Sequence, residues 1–142
     1  MDELSTCYRP HSGELYMSTR QRHFFRERLL TWRLQLQEEN RRISGRIRSE
    51  ENSGGDLIDQ VVADNSKARD FLSRSRNEAL IRQIDAALER IAEGSYGYCL
   101  ESGEEIGVER LMAHPAATLS VEAQQERENR SRQHNYGRVC YC

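Results

Sequence analysis

The sequence predicts a mainly α protein: a long antiparallel coiled-coil hairpin, a small globular region patterned as a degenerate zinc knuckle, and a C-terminal helix. Three observations carry this. Apolar residues recur at heptad steps along two long stretches, a Gly-Gly turn separates those stretches, and a Tyr/Gly-rich segment around one cysteine follows them. Charged residues make up 31% of the 142-residue chain and hydrophobic ones 37%, which suits an elongated helical protein with much solvated surface.

Residues 1–17 show no period, and Pro10, Ser12 and Gly13 predict an irregular arm. Ser18 or Thr19 is suited to cap the helix that follows. In that helix Phe25, Leu29, Trp32, Leu36, Ile43 and Ile47 form a heptad seam that ends near Glu51. Asn52-Ser53-Gly54-Gly55 breaks the helix. A second helix is predicted over about 57–92, with Ile81, Ile84, Leu88 and Ile91 as its clearest seam and Val61, Ala68 and Phe71 continuing it less regularly. The hairpin spans 18–95, with its tip at about 52–60. At 1.5 Å rise per residue, an arm of about 30 residues reaches roughly 45 Å. The knuckle region and last helix occupy 96–133, and 134–142 is expected to be a flexible tail.

A net charge of −2 gives no reason to expect binding to DNA or to a membrane surface. The basic residues are almost all arginine, with Lys67 the one lysine. Nine arginines fall between Arg20 and Arg48, a density read first as solvated helix faces and second as carboxylate- or phosphate-pairing groups. No apolar run approaches the roughly 20 residues of a membrane span, and MDELSTCYRP lacks the pattern of a signal peptide, so a cytoplasmic monomer is expected. Cys7, Cys99, Cys140 and Cys142 show no paired framework and are expected as free thiols. No Ser-His-Asp or Cys-His pair, phosphate loop or metal cluster is legible, so the chain is not expected to be an enzyme.

Two places carry chemistry. Asp56 and Asp59 follow the Gly-Gly turn, and a spacing of three sets both carboxylates on one side of a helix's first turn. They suit helix capping, and they equally suit carboxylates delivered by a long hairpin into a basic or metal-containing site. The second place has the rhythm of a four-cysteine knuckle, whose positions here are Cys99, Ser102, Ser120 and Ala123. Zinc takes four tetrahedral ligands, and serine and alanine are not ordinary ones. The chain is therefore expected to hold no zinc, with Tyr96, Tyr98, Ile106, Val108, Leu111 and Leu119 packing the knuckle instead. Cys99 reads first as a buried small hydrophobe, second as a redox-reactive thiol, and last as part of a substitute metal set with His114, Cys140 and Cys142.

From about Gly13 to Gln133 the chain resembles the DksA/TraR family. The matching segments, in order, are GELYM, RHFFRERLLTWRLQL, DLIDQV, LIRQIDAALERIAEGSYGYC and SGEEIGVERLMAHPAATL. The resemblance implies a regulator that inserts its coiled coil into the secondary channel of bacterial RNA polymerase. Such a regulator binds no promoter sequence itself. It destabilises open promoter complexes, lowering output at ribosomal RNA promoters and raising it at some others.

The family's tip motif Asp-x-x-Asp-x-Ala falls on Asp56, Asp59 and Val61, with valine in the alanine's place. The resemblance puts polymerase contacts and part of a guanosine tetraphosphate (ppGpp) site at Arg76, Leu80, Gln83, Arg110, His114 and Gln124. Arg76, Leu80 and Arg110 match the family; Gln83 and Gln124 stand where it has lysines, and His114 where it has arginine. Weakened dependence on ppGpp is expected from those three changes. The alternatives are a Gre-type transcript-cleavage factor, whose tip acids hold a magnesium ion, and a coiled-coil adaptor with no polymerase role.

Overall fold

A computed structural model gives the fold, describing residues 8–51 and 55–139 (side chains are left out at 50, 51 and 136–139). Among the described residues it is built from four helices: α1 (Thr19–Glu51), α2 (Leu57–Glu93), α3 (Val108–Ala113) and α4 (Val121–Val139). Contacts divide the chain into two compact units, one of Met1–Arg26 with Ala87–Cys142 and one of Glu27–Ala86.

The second unit is an antiparallel helix pair. Leu29, Leu36, Ile43 and Ile47 of α1 and Ile84 of α2 are buried, as the heptad steps predict, and Trp32 is half-buried. Polar pairs fix the register. Arg33 Nε donates to Asp85 Oδ1 at 2.7 Å, Asn77 Nδ2 to Asn40 Oδ1 at 3.0 Å, and Arg46 Nη2 to Asp70 Oδ1 at 3.0 Å. The three pairs step up one helix and down the other, as an antiparallel ladder must. Val61, Ala68 and Phe71, expected to extend the α2 seam, lie exposed instead. Counting back from Ile84 by sevens, the seam runs through buried Asn77, then Asp70 and Ala63, both half-buried. Its polar members conceal it from a search for apolar periods. The expected break at Asn52-Ser53-Gly54-Gly55 lies outside the described residues save Gly55.

In the first unit, α1 starts on Ser18. The Ser18 hydroxyl accepts from Gln21 N–H at 3.3 Å and its carbonyl from Arg22 N–H at 2.9 Å. The α2 helix stops at Gly94 (φ 87°), where Gly94 and Ser95 N–H both return to the Arg90 carbonyl. The chain then turns through a short antiparallel hairpin bridged at Tyr98 and Glu105. The helix α4 starts on Ser120, whose hydroxyl accepts from Ala123 N–H at 3.2 Å. It continues to Val139, past the expected end at Gln133 into the expected tail. Pairs such as Arg130–Glu126, four apart at 2.7 Å, support such a polar helix modestly.

The described part of the arm, 8–17, makes specific bonds that its composition does not predict. Tyr16 Oη donates to the Gly97 carbonyl at 2.5 Å and accepts from Gly107 N–H at 3.0 Å, tying both sides of the knuckle to the chain before α1. Met17 is buried with φ 51°, and its N–H donates to Gln21 Oε1 at 2.9 Å. A side chain at Gly97 would meet Met17 at 2.8 Å, so this contact requires glycine there.

Candidate functional site

The two tip acids have different jobs. Asp56 precedes α2, and its Oδ1 accepts from Asp59 N–H at 2.9 Å while its carbonyl accepts from Gln60 N–H at 2.9 Å. It is the N-cap of α2. Asp59 sits in the first turn, exposed, where the helix dipole favours its charge. The capping reading thus holds for Asp56, and Asp59 presents its carboxylate outward. Gly55 keeps the approach open, since a Cβ there would stand 2.9 Å from Asp59 Cβ. Val61 is 54% exposed on the next turn. Farther along the same unit, Arg76 and Gln83 are exposed and Leu80 is half-buried, spaced four and three along one face of α2.

The other three predicted contact residues belong to the first unit. Arg110 and His114 line an open groove with Ser12, Ile106, Glu109 and Val121. Arg110 Nε is held by the Leu119 carbonyl at 2.9 Å. Burial, with a smaller contribution from neighbouring Arg110, pushes the His114 imidazole below its ordinary value. Both causes disfavour the charged imidazolium that would pair with a phosphate. Gln124 is not among the groove residues; its amide donates to Glu128 Oε1 at 2.9 Å on α4.

The knuckle is packed as expected around Tyr96, Ile106, Val108, Leu111 and Leu119, all buried. Tyr98 departs from the expectation: it is 37% exposed and meets the Tyr16 ring edge-on at 5.7 Å. Tyr96 Oη donates to the Pro115 carbonyl at 2.6 Å. Cys99 is buried, its N–H donating to the Glu104 carbonyl at 2.7 Å. Burial pushes its thiol up, yet hydrogen bonds from the Ser102 hydroxyl and from backbone groups of Ser102, Ser120 and Glu101 outweigh it and bring the thiol down to about 6. Three of the four predicted ligand positions, Cys99, Ser102 and Ser120, thus converge around one sulfur, and the fourth, Ala123, is buried on α4. Cys7, Cys140 and Cys142 lie outside the described residues.

Sequence reasoning passed over Tyr16, Gln21 and Asn77. Gln21 is fully buried, and its amide donates to the His11 carbonyl and to Glu14 Oε2 at 3.3 and 3.1 Å. Gln21 and Asn77 continue the seams four residues before Phe25 and seven before Ile84, but as polar residues they are invisible to a search for apolar periods, and Tyr16 stands in no such pattern.

Comparison with known proteins bears on both units. Residues 21–91 match the model of the DnaK suppressor protein DksA N-terminal domain, and residues 94–129 that of the prokaryotic dksA/traR C4-type zinc finger. The chain is 42% identical over 127 residues to the RNA polymerase-binding transcription factor DksA of Caulobacter vibrioides, covering 89% of each chain. It is 32% identical to the protein of the same name from Escherichia coli K12, covering 89% of this chain and 83% of that one. The solved structure of transcription factor DksA2 from Pseudomonas aeruginosa superposes with a TM-score of 0.78 at 36% identity, over 87% of this chain and 94% of that one.

The zinc-finger match corrects the expectation of a zinc-free chain, because it assigns residues 94–129 to a domain of zinc-binding type. Zinc is the group that this family implies for the knuckle, and Cys99 is the residue that would meet it as a thiolate. Ser102, Ser120 and Ala123 do not complete a four-thiolate set, and among the described residues no three His, Cys, Asp or Glu side chains converge on a metal position.

Proposed function

The chain belongs to the DksA/TraR family, and from that premise we propose that it binds bacterial RNA polymerase and regulates transcription, entering the secondary channel with its hairpin and setting Asp59 near the active centre. Open promoter complexes are then destabilised. The observation that carries this reading is the division of labour at the tip. Asp56 is occupied as a helix cap, and Asp59 is exposed, its carboxylate making no hydrogen bond to another of the described residues. An acid that a coiled-coil adaptor has no use for is thereby offered to a partner.

Arg76, Leu80 and Gln83 serve as further polymerase contacts along α2, and Arg110 and His114 as contacts from the knuckle groove. The chain performs no catalysis of its own in this reading. A polymerase partner places it in the bacterial cytoplasm, and among the described residues no helix is long and apolar enough to cross a membrane.

The test is transcription in vitro from a ribosomal RNA promoter with purified polymerase. The expected result is a dose-dependent fall in transcript and a shorter open-complex lifetime, with no shortening of RNA in backtracked complexes. Transcript cleavage would favour the Gre-type reading, and no effect on either measurement would favour the adaptor.

A further inference from the structure

The α2 helix carries a second heptad seam that nothing in its own unit covers. Ile58, Val61, Asn65, Ala68, Leu72 and Ser75 step three, four, three, four and three along the helix, and all six are exposed. Ile58 is 73% exposed and Leu72 63%. Leu72 stands five residues before Asn77, about 140° around the axis from the face that meets α1. The hairpin therefore leaves this seam clear on its outer side.

The flanks of the seam identify its occupant. With Ile58, Asn65 and Leu72 at a and Val61, Ala68 and Ser75 at d, the g positions are Leu57, Asp64, Phe71 and Glu78. The e positions are Val62, Arg69, Arg76 and Gln83. One flank is acidic or apolar; the other is basic, apolar or amide. In a parallel pair, each g residue faces the e residue five positions later on the second helix. A second copy then gives Leu57 against Val62, Asp64 against Arg69, Phe71 against Arg76, and Glu78 against Gln83. Every contact is apolar, opposite in charge, cation–π or hydrogen-bonding. Antiparallel pairing sets g against g and e against e, so no acid can meet an arginine. Asn65 falls at an a position, where one buried asparagine meeting its own copy favours a parallel two-stranded register.

We infer that this outer face of α2 is a self-association surface, on which two copies of the chain pair as a parallel coiled coil through residues 57–83. The pair is weak and reversible. Ala68 and Ser75 are small, Asn65 costs stability, and Glu78 already holds an intrahelical bridge to Arg74 at 3.2 Å. The chain is therefore expected as a monomer when dilute. The pairing needs no polymerase and is tested without it.

The experiment is sedimentation velocity on the full chain from ~10 µM to ~1 mM, a range that brackets a weak pair. The expected result is a weight-average sedimentation coefficient rising from monomer toward dimer. Leu72→Glu should hold it at the monomer value with helix content unchanged by circular dichroism, as its exposure allows. Asp64→Arg and Arg69→Asp should each weaken pairing about tenfold, since the symmetric pair loses both of its Asp64–Arg69 contacts and gains like-charge ones in their place, and the double variant should restore it. Orientation is read from Asn65→Cys in a chain with Cys7, Cys140 and Cys142 changed to serine: oxidation should yield a covalent dimer. A chain monomeric throughout the range, a double variant as weak as the singles, or an Asn65→Cys chain that does not cross-link would each overturn the proposal.

Discussion

Replacing Asp59 by asparagine changes one charge and almost no volume. The residue is exposed in the first turn of α2, and the bond that starts the helix, Asp59 N–H to Asp56 Oδ1 at 2.9 Å, uses its backbone and survives the change. The folded chain should lose only the favourable meeting of a carboxylate with the helix dipole, about 0.3–1 kcal/mol. At a polymerase site the loss is larger, because a charge-assisted hydrogen bond is worth roughly 1.5–3 kcal/mol, or about ten- to more than a hundredfold in the regulated step. Asp56→Asn is the internal control. Asparagine caps helices about as well as aspartate, so the cap persists and regulation should fall far less. Asp56→Ala removes the cap and should cost about 1 kcal/mol at the start of α2. The assay pairs open-complex lifetime at a ribosomal RNA promoter with a competition measurement of polymerase affinity. Asp59→Asn should abolish most of the first and leave the second nearly unchanged. Equal loss of regulation in Asp56→Asn and Asp59→Asn would refute the division of labour at the tip. Full regulation by the chain carrying both changes would refute the tip mechanism itself.

Tyr16→Phe removes a hydroxyl that serves both Gly97 and Gly107, and should lower stability by roughly 1–3 kcal/mol in thermal or urea unfolding. Ser120→Ala, which strips the cap of α4, should cost about 1 kcal/mol in the same measurement. Asn77→Ala should destabilise the helix pair by leaving Asn40 with a lost partner, whereas leucine at both 40 and 77 should be neutral or stabilising in urea unfolding while loosening the register. Acid should weaken the first unit in two stages. The His114 imidazole lies below its ordinary value chiefly through burial, so stability present above 6.5 is lost as pH falls through its folded value. Glu14, lowered first by the Tyr8 hydroxyl and then by Gln21, does the same below 4.5. Thermal midpoints from pH 8 to pH 3 and an NMR titration of His114 check both, and a midpoint that rises on acidification would contradict them.

Much of the fold was legible because its signals are periodic. Phe25, Leu29, Leu36, Ile43 and Ile47 announce the α1 seam, Ile84 and its neighbours the base of α2, and Ser18 the start of α1. The tip half of α2 misled for a physical reason. Its inward face is polar and its outward face apolar, so Val61, Ala68 and Phe71 drew the seam to the wrong side. The knuckle spacing located Cys99, Ser102, Ser120 and Ala123, yet spacing says nothing of hydrogen bonds, and the cap role of Ser120 was invisible. Tyr16 stands 81 residues from Gly97, and its hydroxyl bridge has no counterpart in sequence pattern. The zinc expectation erred by weighing ligand identity alone, where the whole segment 94–129 carries the zinc-finger signature.

The α1–α2 interface changes character along its length. Near Leu29 and Ile84 it is closed by fully buried apolar side chains; toward the tip α1 still buries Ile43 and Ile47, but α2 answers with polar residues, Asn77 in an Asn–Asn layer and Asp70, only 13% exposed, in an arginine–aspartate layer. Apolar layers resist opening in proportion to the area they hide from water, whereas a polar layer exchanges protein hydrogen bonds for water at little net cost. Separation of the helices should therefore begin at the tip and work inward, and amide protons around Asp59–Ala63 should exchange orders of magnitude sooner than those around Ile84. On that expectation the hairpin is a graded spring, with an acid-bearing end that would yield to the walls around it and an apolar end that would hold the register.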